Sequence, residues 1–140
     1  MSTIPTLPGI TSQMVPTARL QTHVLFSGEA SGAPVVFVHG NASSAIYWEE
    51  SMLALPAHYY AIAPDLRGYG DTEDLLVDAT RGARDWSEDL KALSDTLGNR
   101  PAHLIGWSLG AGPVLQFALD YPDLVSSITL VNPVSPYGFG

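Results

Sequence analysis

Residues 102–119, AHLIGWSLGAGPVLQFAL, decide the fold of this chain. The stretch begins with a short apolar run, which is typical of a strand buried on both faces, and it ends with the apolar pattern of a helix. Between the two, residues 106–110 match G-x-S-x-G, a motif in which a strand turns sharply into a helix. We predict that Ser108 takes a strained backbone conformation at the tip of that turn, with room made by the flanking glycines.

The rest of the sequence alternates short β-rich runs with helical patterns. Strands are predicted at residues 18–26, 34–38, 59–63, 102–105 and 127–131, and helices at residues 44–55, 85–97 and 109–119. In the second helix, Asp85 and Glu88 have the spacing of a capping box, and Gly98 supplies the end. This alternation predicts α/β architecture with a doubly wound, mainly parallel sheet. We expect residues 1–17 to be a lead-in and residues 18–140 to form the folded part.

The composition argues against several classes of function. The chain has 14 acidic residues against 6 basic ones, a formal net charge of −8, and no cysteine. Binding to nucleic acid or to an anionic membrane surface needs clustered Lys and Arg, so we expect neither partner. The lack of Cys excludes disulfides, thiol nucleophiles and thiolate metal sites. The N-terminus has no signal-peptide pattern, and no apolar stretch reaches about 18 residues, so we expect a soluble cytoplasmic protein.

Polar residues follow two other predicted strands. His39 and Asn41 come after the strand over residues 34–38, and Asp65 and Arg67 come after the strand over residues 59–63. Functional groups gather at the carboxyl ends of parallel strands. His39 could chemically act as a catalytic base, and Asp65 could act as the acid of a catalytic triad. We favour structural roles: loop hydrogen bonds for His39, and an ion pair with Arg67 or loop hydrogen bonds for Asp65.

Four stretches of the chain resemble the α/β-hydrolase superfamily in order and spacing. They are VVFVHGNASSAIYW at residues 35–48, AIAPDLRGYGDTE at 61–73, HLIGWSLGAGPVLQFALDYPDLV at 103–125 and ITLVNP at 128–133. The resemblance implies that Ser108 is the nucleophile. It also implies that the backbone N–H groups of Asn41 and Leu109 form the oxyanion hole, which stabilises negative charge in the transition state.

The motifs also distinguish between relatives. An HGN loop followed by an aromatic-containing helix resembles haloalkane dehalogenases, but those enzymes and epoxide hydrolases use Asp where this chain has Ser108. The GWSLG segment is more similar to esterases, lactonases, C–C bond hydrolases and cofactor-free haloperoxidases. The resemblance thus implies a serine hydrolase of carboxylic esters or related acyl compounds, with no metal or organic cofactor. Trp107 and Trp48, with Ile46 and Tyr47, are candidate walls of an apolar acyl pocket. Core packing is the alternative for Ile46 and Tyr47.

The expected partners of Ser108 are missing. In this family the acid and the His follow the nucleophile, but only Asp120 and Asp123 follow it here, and all four histidines precede it. We expect an N-terminal portion of the fold, inactive alone, whose His and acid come from a second chain carrying the C-terminal half. An isolated fragment of a longer chain, and a short non-catalytic relative that acts as a binding module, are the alternatives. The strand over residues 127–131 would then be an exposed apolar edge.

Overall fold

The computed structural model describes residues 5–135, and its centre is one sheet of six strands. The strands are β1 (Thr11–Pro16), β2 (Gln21–Gly28), β3 (Ala33–Val38), β4 (Tyr59–Pro64), β5 (Ala102–Trp107) and β6 (Val125–Val131), and their order in the sheet is β1-β2-β4-β3-β5-β6. The last four strands along the chain pair in parallel, whereas β2 pairs antiparallel with both β1 and β4. The predicted α/β fold with a mainly parallel sheet is therefore confirmed.

The segment that we expect to be a lead-in, residues 1–17, contains strand β1 of the sheet. Thr11–Pro16 pairs along its whole length with β2, and Val15 is buried against Val24 and Phe26. An edge strand needs one neighbour and few buried side chains, so β1 shows no apolar alternation that a sequence pattern would reveal.

Helices cover both faces of the sheet. The α-helices are α1 (Glu49–Ala54), α2 (Arg84–Thr96) and α3 (Ala111–Asp120), and short 3-10 helices occupy Ala45–Trp48, Ala79–Arg81, Ser108–Gly110 and Pro122–Leu124. Alternate residues of the central strands face opposite ways. One set packs on Trp48 and Met52 at α1, and the other set packs on Leu90 and Phe117 of α2 and α3. This arrangement is the predicted doubly wound packing.

The boundaries of the helices differ from the sequence prediction in two respects. The first and third predicted helices each begin with a 3-10 turn before the α-helix. The capping box at the start of α2 is not formed. Asp85 instead accepts a hydrogen bond from the N–H of Asp78 and pairs with Arg81. Gly98 ends α2 as predicted, with a φ of +100° that side chains rarely adopt.

Strand β6 has only one neighbour within residues 5–135, which is β5. Ile128, Leu130 and Val131 are 38%, 37% and 36% exposed, so an apolar edge strand is present as predicted. Among the described residues, no helix is both long and apolar enough to cross a membrane.

Candidate active site

The turn between β5 and α3 has the geometry that the G-x-S-x-G motif predicts. Ser108 has a φ of +52°, in the left-handed region that costs a non-glycine residue conformational energy. A Cβ atom on Gly106 would lie 2.9 Å from the carbonyl oxygen of Gly110, and a Cβ atom on Gly110 would lie 2.4 Å from that of Val38. Both glycines are therefore required for the strand to turn this tightly against β3.

The loop after β3 passes directly beside Ser108. A Cβ atom on Gly40 would lie 3.1 Å from the Cβ of Ser108, so the two backbones approach as closely as glycine allows. The N–H of Asn41 has no hydrogen-bond acceptor within residues 5–135. Leu109 is the second residue of the 3-10 helix that begins at Ser108, and N–H groups at a helix start have no intrahelical acceptor. Both donors thus remain available beside the serine.

The side chain of Asn41 is held by the neighbouring loop. The Tyr69 hydroxyl donates a hydrogen bond to Asn41 Oδ1 at 2.7 Å. His39 lies behind, completely buried, with its ring edge-on to Tyr69 at a centroid distance of 5.2 Å. These contacts fix the position of the segment that follows β3.

His39 has the structural role that the sequence favours. The Leu66 N–H donates to Nε2 at 2.9 Å, so Nδ1 carries the proton and donates to the Gly40 carbonyl oxygen at 2.8 Å. Burial lowers the pKa of His39, which keeps the ring neutral at physiological pH. Because both ring nitrogens are occupied, His39 has none left to accept a proton from Ser108.

Asp65 and Arg67 do not pair with each other. Arg67 makes a two-point ion pair with Asp89 of α2, with both N···O distances at 2.8 Å. Asp65 instead accepts hydrogen bonds from the N–H groups of Ala45 and Asp71, so the loop hydrogen bonds expected for it are confirmed. The sequence carries no sign of the Arg67–Asp89 pair, because its members lie on separate elements.

Asp65 also contacts His23 of β2, with Oδ2 lying 2.7 Å from Nδ1. Burial alone would raise the pKa of Asp65, but the hydrogen bonds from His23, Ala45 and Asp71 hold it below its ordinary value of 3.8. The hydrogen bond to Asp65 raises the pKa of His23 above 6.5, against the opposing effect of burial. Asp65 is therefore ionised and fully used within its own loop, and it does not orient a base for Ser108.

The aromatic residues divide between the surface and the core. Tyr47 is 53% exposed and stacks on the half-buried Trp107, with ring centroids 4.2 Å apart. Trp48 is only 6% exposed and packs against Phe37 in the core. Trp48 therefore lies in the core rather than beside Ser108, because its ring fills the space between the sheet and α1. Ile46, at 40% exposure, and Tyr47 are not core residues.

None of the described residues supplies a base to Ser108. His103 contacts the Ser127 hydroxyl at 2.7 Å, and His58 packs against Tyr59. His23 and His39 make the hydrogen bonds described above. Ser108 is half-buried, and its Oγ makes no hydrogen bond within residues 5–135.

One cluster has the composition of a metal site. Single ligand atoms of His23, Asp65 and Asp71 lie within 4.8 Å of one another. The Asp65 oxygens already accept three N–H groups, and His23 Nδ1 faces one of those oxygens. Binding a cation here would therefore break hydrogen bonds that hold the loop in place.

Comparison with known proteins shows the family to which the fold belongs. The family model described as alpha/beta hydrolase fold matches residues 33–139. The 2-(acetamidomethylene)succinate hydrolase of Mesorhizobium japonicum is 33% identical over 126 residues, which are 90% of this chain and 44% of that protein. The Bacillus subtilis protein named "uncharacterized carboxylesterase nap" is 30% identical over 118 residues, which are 84% of this chain and 39% of that protein.

A solved structure gives the same result. An epoxide hydrolase from Vigna radiata matches with a TM-score of 0.81 at 30% identity, over 95% of this chain and 45% of that one. The chain spans less than half the length of each of these three proteins.

Proposed function

This chain belongs to the alpha/beta hydrolase fold family, and from that premise we propose that it carries the nucleophile half of a serine hydrolase of carboxylic esters or related acyl compounds. One observation carries the proposal. Ser108 lies at the tip of a strand-to-helix turn with a φ of +52°. The N–H of Asn41, which has no hydrogen-bond acceptor within residues 5–135, and the N–H of Leu109 at the start of a 3-10 helix belong to the adjoining segments. Such a constellation suits attack on a carbonyl carbon.

In the proposed mechanism Ser108 Oγ attacks the acyl carbon of the substrate. The N–H groups of Asn41 and Leu109 stabilise the negative charge that develops on the carbonyl oxygen. A His outside residues 5–135 takes the Ser108 proton and passes it to the leaving alcohol, and an acid orients that His. Water then hydrolyses the acyl-enzyme. Tyr47 and Trp107 would border the acyl group, since their stacked rings lie next to the nucleophile turn.

We propose that the missing half of the site is carried by a second chain with the C-terminal part of the fold. Support comes from the relatives, of which this chain spans only 39% and 44%. Further support comes from β6, which pairs only with β5 within residues 5–135 and exposes Ile128, Leu130 and Val131, so it could accept another strand. A partner that pairs with β6 would bring its own strand ends to the same edge of the sheet as Ser108.

The test uses the assembly purified through a tag on this chain from the cells that make it. Intact mass spectrometry reports whether a second polypeptide accompanies it in equal amount. The assembly is then treated with a fluorophosphonate, and the adduct is located by peptide sequencing. We expect an adduct on Ser108 and loss of ester hydrolysis in Ser108→Ala, with Ser51→Ala, an exposed serine of α1, as the unaffected control.

The absence of an adduct on Ser108 in the full assembly would overturn this assignment. It would favour the second candidate, a binding module that keeps the fold without catalysis. The observation that favours this alternative is that no described histidine contacts Ser108. Peroxide-dependent halogenation without ester turnover would point instead to a cofactor-free haloperoxidase that uses the same serine.

A further inference from the structure

A second serine, Ser12, lies in a row of hydrogen bonds from Ser12 through His23 to Asp65, and the proposed site does not use this row. Ser12 Oγ on β1 is 2.7 Å from His23 Nε2 on β2, and His23 Nδ1 is 2.7 Å from Asp65 Oδ2 at the end of β4. In the antiparallel register His23 faces Met14, so Ser12 is its diagonal neighbour on the same face of the sheet. The row therefore depends on the pairing of β1 with β2, and no sequence motif predicts it.

The ionised Asp65 selects the tautomer of the neutral His23 ring. Asp65 is ionised because its pKa is low, and a carboxylate only accepts hydrogen bonds. His23 Nδ1 must therefore carry a proton and donate it to Asp65. In the neutral ring Nε2 then has only a lone pair, so the Ser12 hydroxyl donates to it. This is the arrangement in which an imidazole removes a proton from a serine hydroxyl.

The base is rigid and shielded, whereas the serine is accessible. His23 and Asp65 are 6% and 3% exposed, and Ser12 is exposed. Thr72 fixes both partners: its Oγ1 accepts from the His23 N–H at 2.9 Å and donates to the Asp65 carbonyl oxygen at 2.8 Å. A cavity of about 150 Å³ has His23, Asp65, Leu25 and Ile46 in its wall, whereas Ser12 lies outside this lining.

We propose that Ser12 is a second nucleophilic serine of this chain, with His23 as its base, reactive towards small activated esters and phosphonyl fluorides. Ser12 Oγ forms a bond to the acyl carbon or the phosphorus while its proton moves to His23 Nε2. The aryloxide or fluoride departs with the electron pair of the broken bond. Asp65 stabilises the resulting imidazolium. Water then cleaves an acyl group from Ser12, whereas a phosphonyl group stays on the serine.

The first experiment treats the 140-residue chain with a fluorophosphonate and with p-nitrophenyl acetate, and it maps the adducts by peptide sequencing. We expect an adduct on Ser12 that is absent in Ser12→Ala and unchanged in Ser51→Ala. Because Ser12 is exposed, its replacement leaves the His23–Asp65 contact intact and the fold unperturbed. No adduct on Ser12 after prolonged exposure to the fluorophosphonate would refute the proposal. Labelling of Ser108 has no bearing on this result.

A second experiment uses the lack of cysteine in the natural chain. Ser12→Cys and Ser51→Cys each introduce one thiol, and iodoacetamide alkylation measures how readily that thiol forms a thiolate. We expect Ser12→Cys to react at least about tenfold faster at pH 7, because His23 takes its proton. Equal rates would overturn the proposal.

Two further variants separate proton transfer from packing. His23→Gln in the Ser12→Cys background should lower the alkylation rate to that of Ser51→Cys. Asp65→Asn should lower it as well, because the neutral amide no longer stabilises an imidazolium. Circular dichroism checks that both variants fold. A folded His23→Gln variant that keeps the fast rate would contradict the assignment of the base.

Discussion

At the scale of single residues, the shape of the Ser108 turn depends on the absence of a Cβ atom at its glycines. The turn brings the backbone of residue 110 against the carbonyl oxygens of Val38 and His39 in β3 and the loop after it. The strain at Ser108 is offset by packing elsewhere, as is common for residues held at functional sites. A side chain at position 110 would therefore push against the backbone of β3 and lower the stability of the sheet.

We predict that Gly110→Ala destabilises the fold by at least about 2 kcal/mol, because its Cβ would lie 2.4 Å from the Val38 oxygen and the backbone must move. The measurement is urea unfolding followed by circular dichroism. Gly112→Ala is the matched control, since it lies in α3 and its Cβ would meet only Ala83 Cβ at 3.4 Å. We expect this control to change stability by less than about 1 kcal/mol. Equal effects would mean that the turn does not restrict residue 110.

The His23–Asp65 contact makes stability depend on pH. The pKa of His23 is raised above 6.5, so its contribution is complete below that pH and disappears as pH rises through the folded-state pKa. The pKa of Asp65 is lowered below 3.8, so its contribution is present above that value and is lost as pH falls through the folded-state pKa. Both contributions are present together between about pH 4.5 and 6.5.

We predict that the difference in unfolding free energy between the natural chain and His23→Gln is larger at pH 5.5 than at pH 8.5. Urea titrations at the two pH values measure it. His39 responds in the opposite direction, since burial lowers its pKa, but it is present in both proteins and cancels. A difference that is constant with pH would show that the contact carries no charge-dependent stability.

At the scale of elements, the sequence predicts the strands that have an apolar run or an apolar alternation, including the largely exposed β6. Strands β3 and β4 read as short apolar runs because both of their faces meet helices, and β5 carries the motif that follows it. Strand β1 is missed because it buries little beyond Val15. The segment over residues 44–55 was predicted as one helix, since its apolar residues cover a broad face that both a 3-10 turn and an α-helix satisfy.

Only those parts of the candidate site that depend on residues close together in the sequence could be predicted. The turn at Ser108 and the loop at Asn41 follow from glycine spacing and strand ends, and the structure places these segments side by side. The environment of Trp48 was not predictable, because adjacent aromatic residues in a 3-10 helix point in different directions. The row from Ser12 to Asp65 depends on the register between β1 and β2, which the sequence does not encode in any short motif.

At the scale of the whole molecule, the described sheet ends in β6, which has one neighbour within residues 5–135 and exposes Ile128, Leu130 and Val131. We predict that the 140-residue chain alone self-associates through β6 and that Leu130→Glu shifts it towards monomer, because a charge on the edge opposes strand addition. Light scattering after size exclusion over a range of concentrations measures the shift. Leu76→Glu, at a loop residue that is 94% exposed, is the control and should have no effect. A chain that stays monomeric throughout would refute the prediction.

The two margins of the described sheet differ in what they offer to another strand. On the β1 side, Thr11, Ser12 and Gln13 are polar, and Pro16 has no N–H to donate to another strand. On the β6 side no proline interrupts the strand, and Ile128, Leu130 and Val131 are exposed. Growth into a filament requires two adhesive ends on every unit, whereas a unit with one adhesive end stops growing once that end is covered. Because Pro16 removes a donor from the β1 edge, we expect copies of the described sheet to associate through β6 alone, and therefore to form a closed pair rather than a filament.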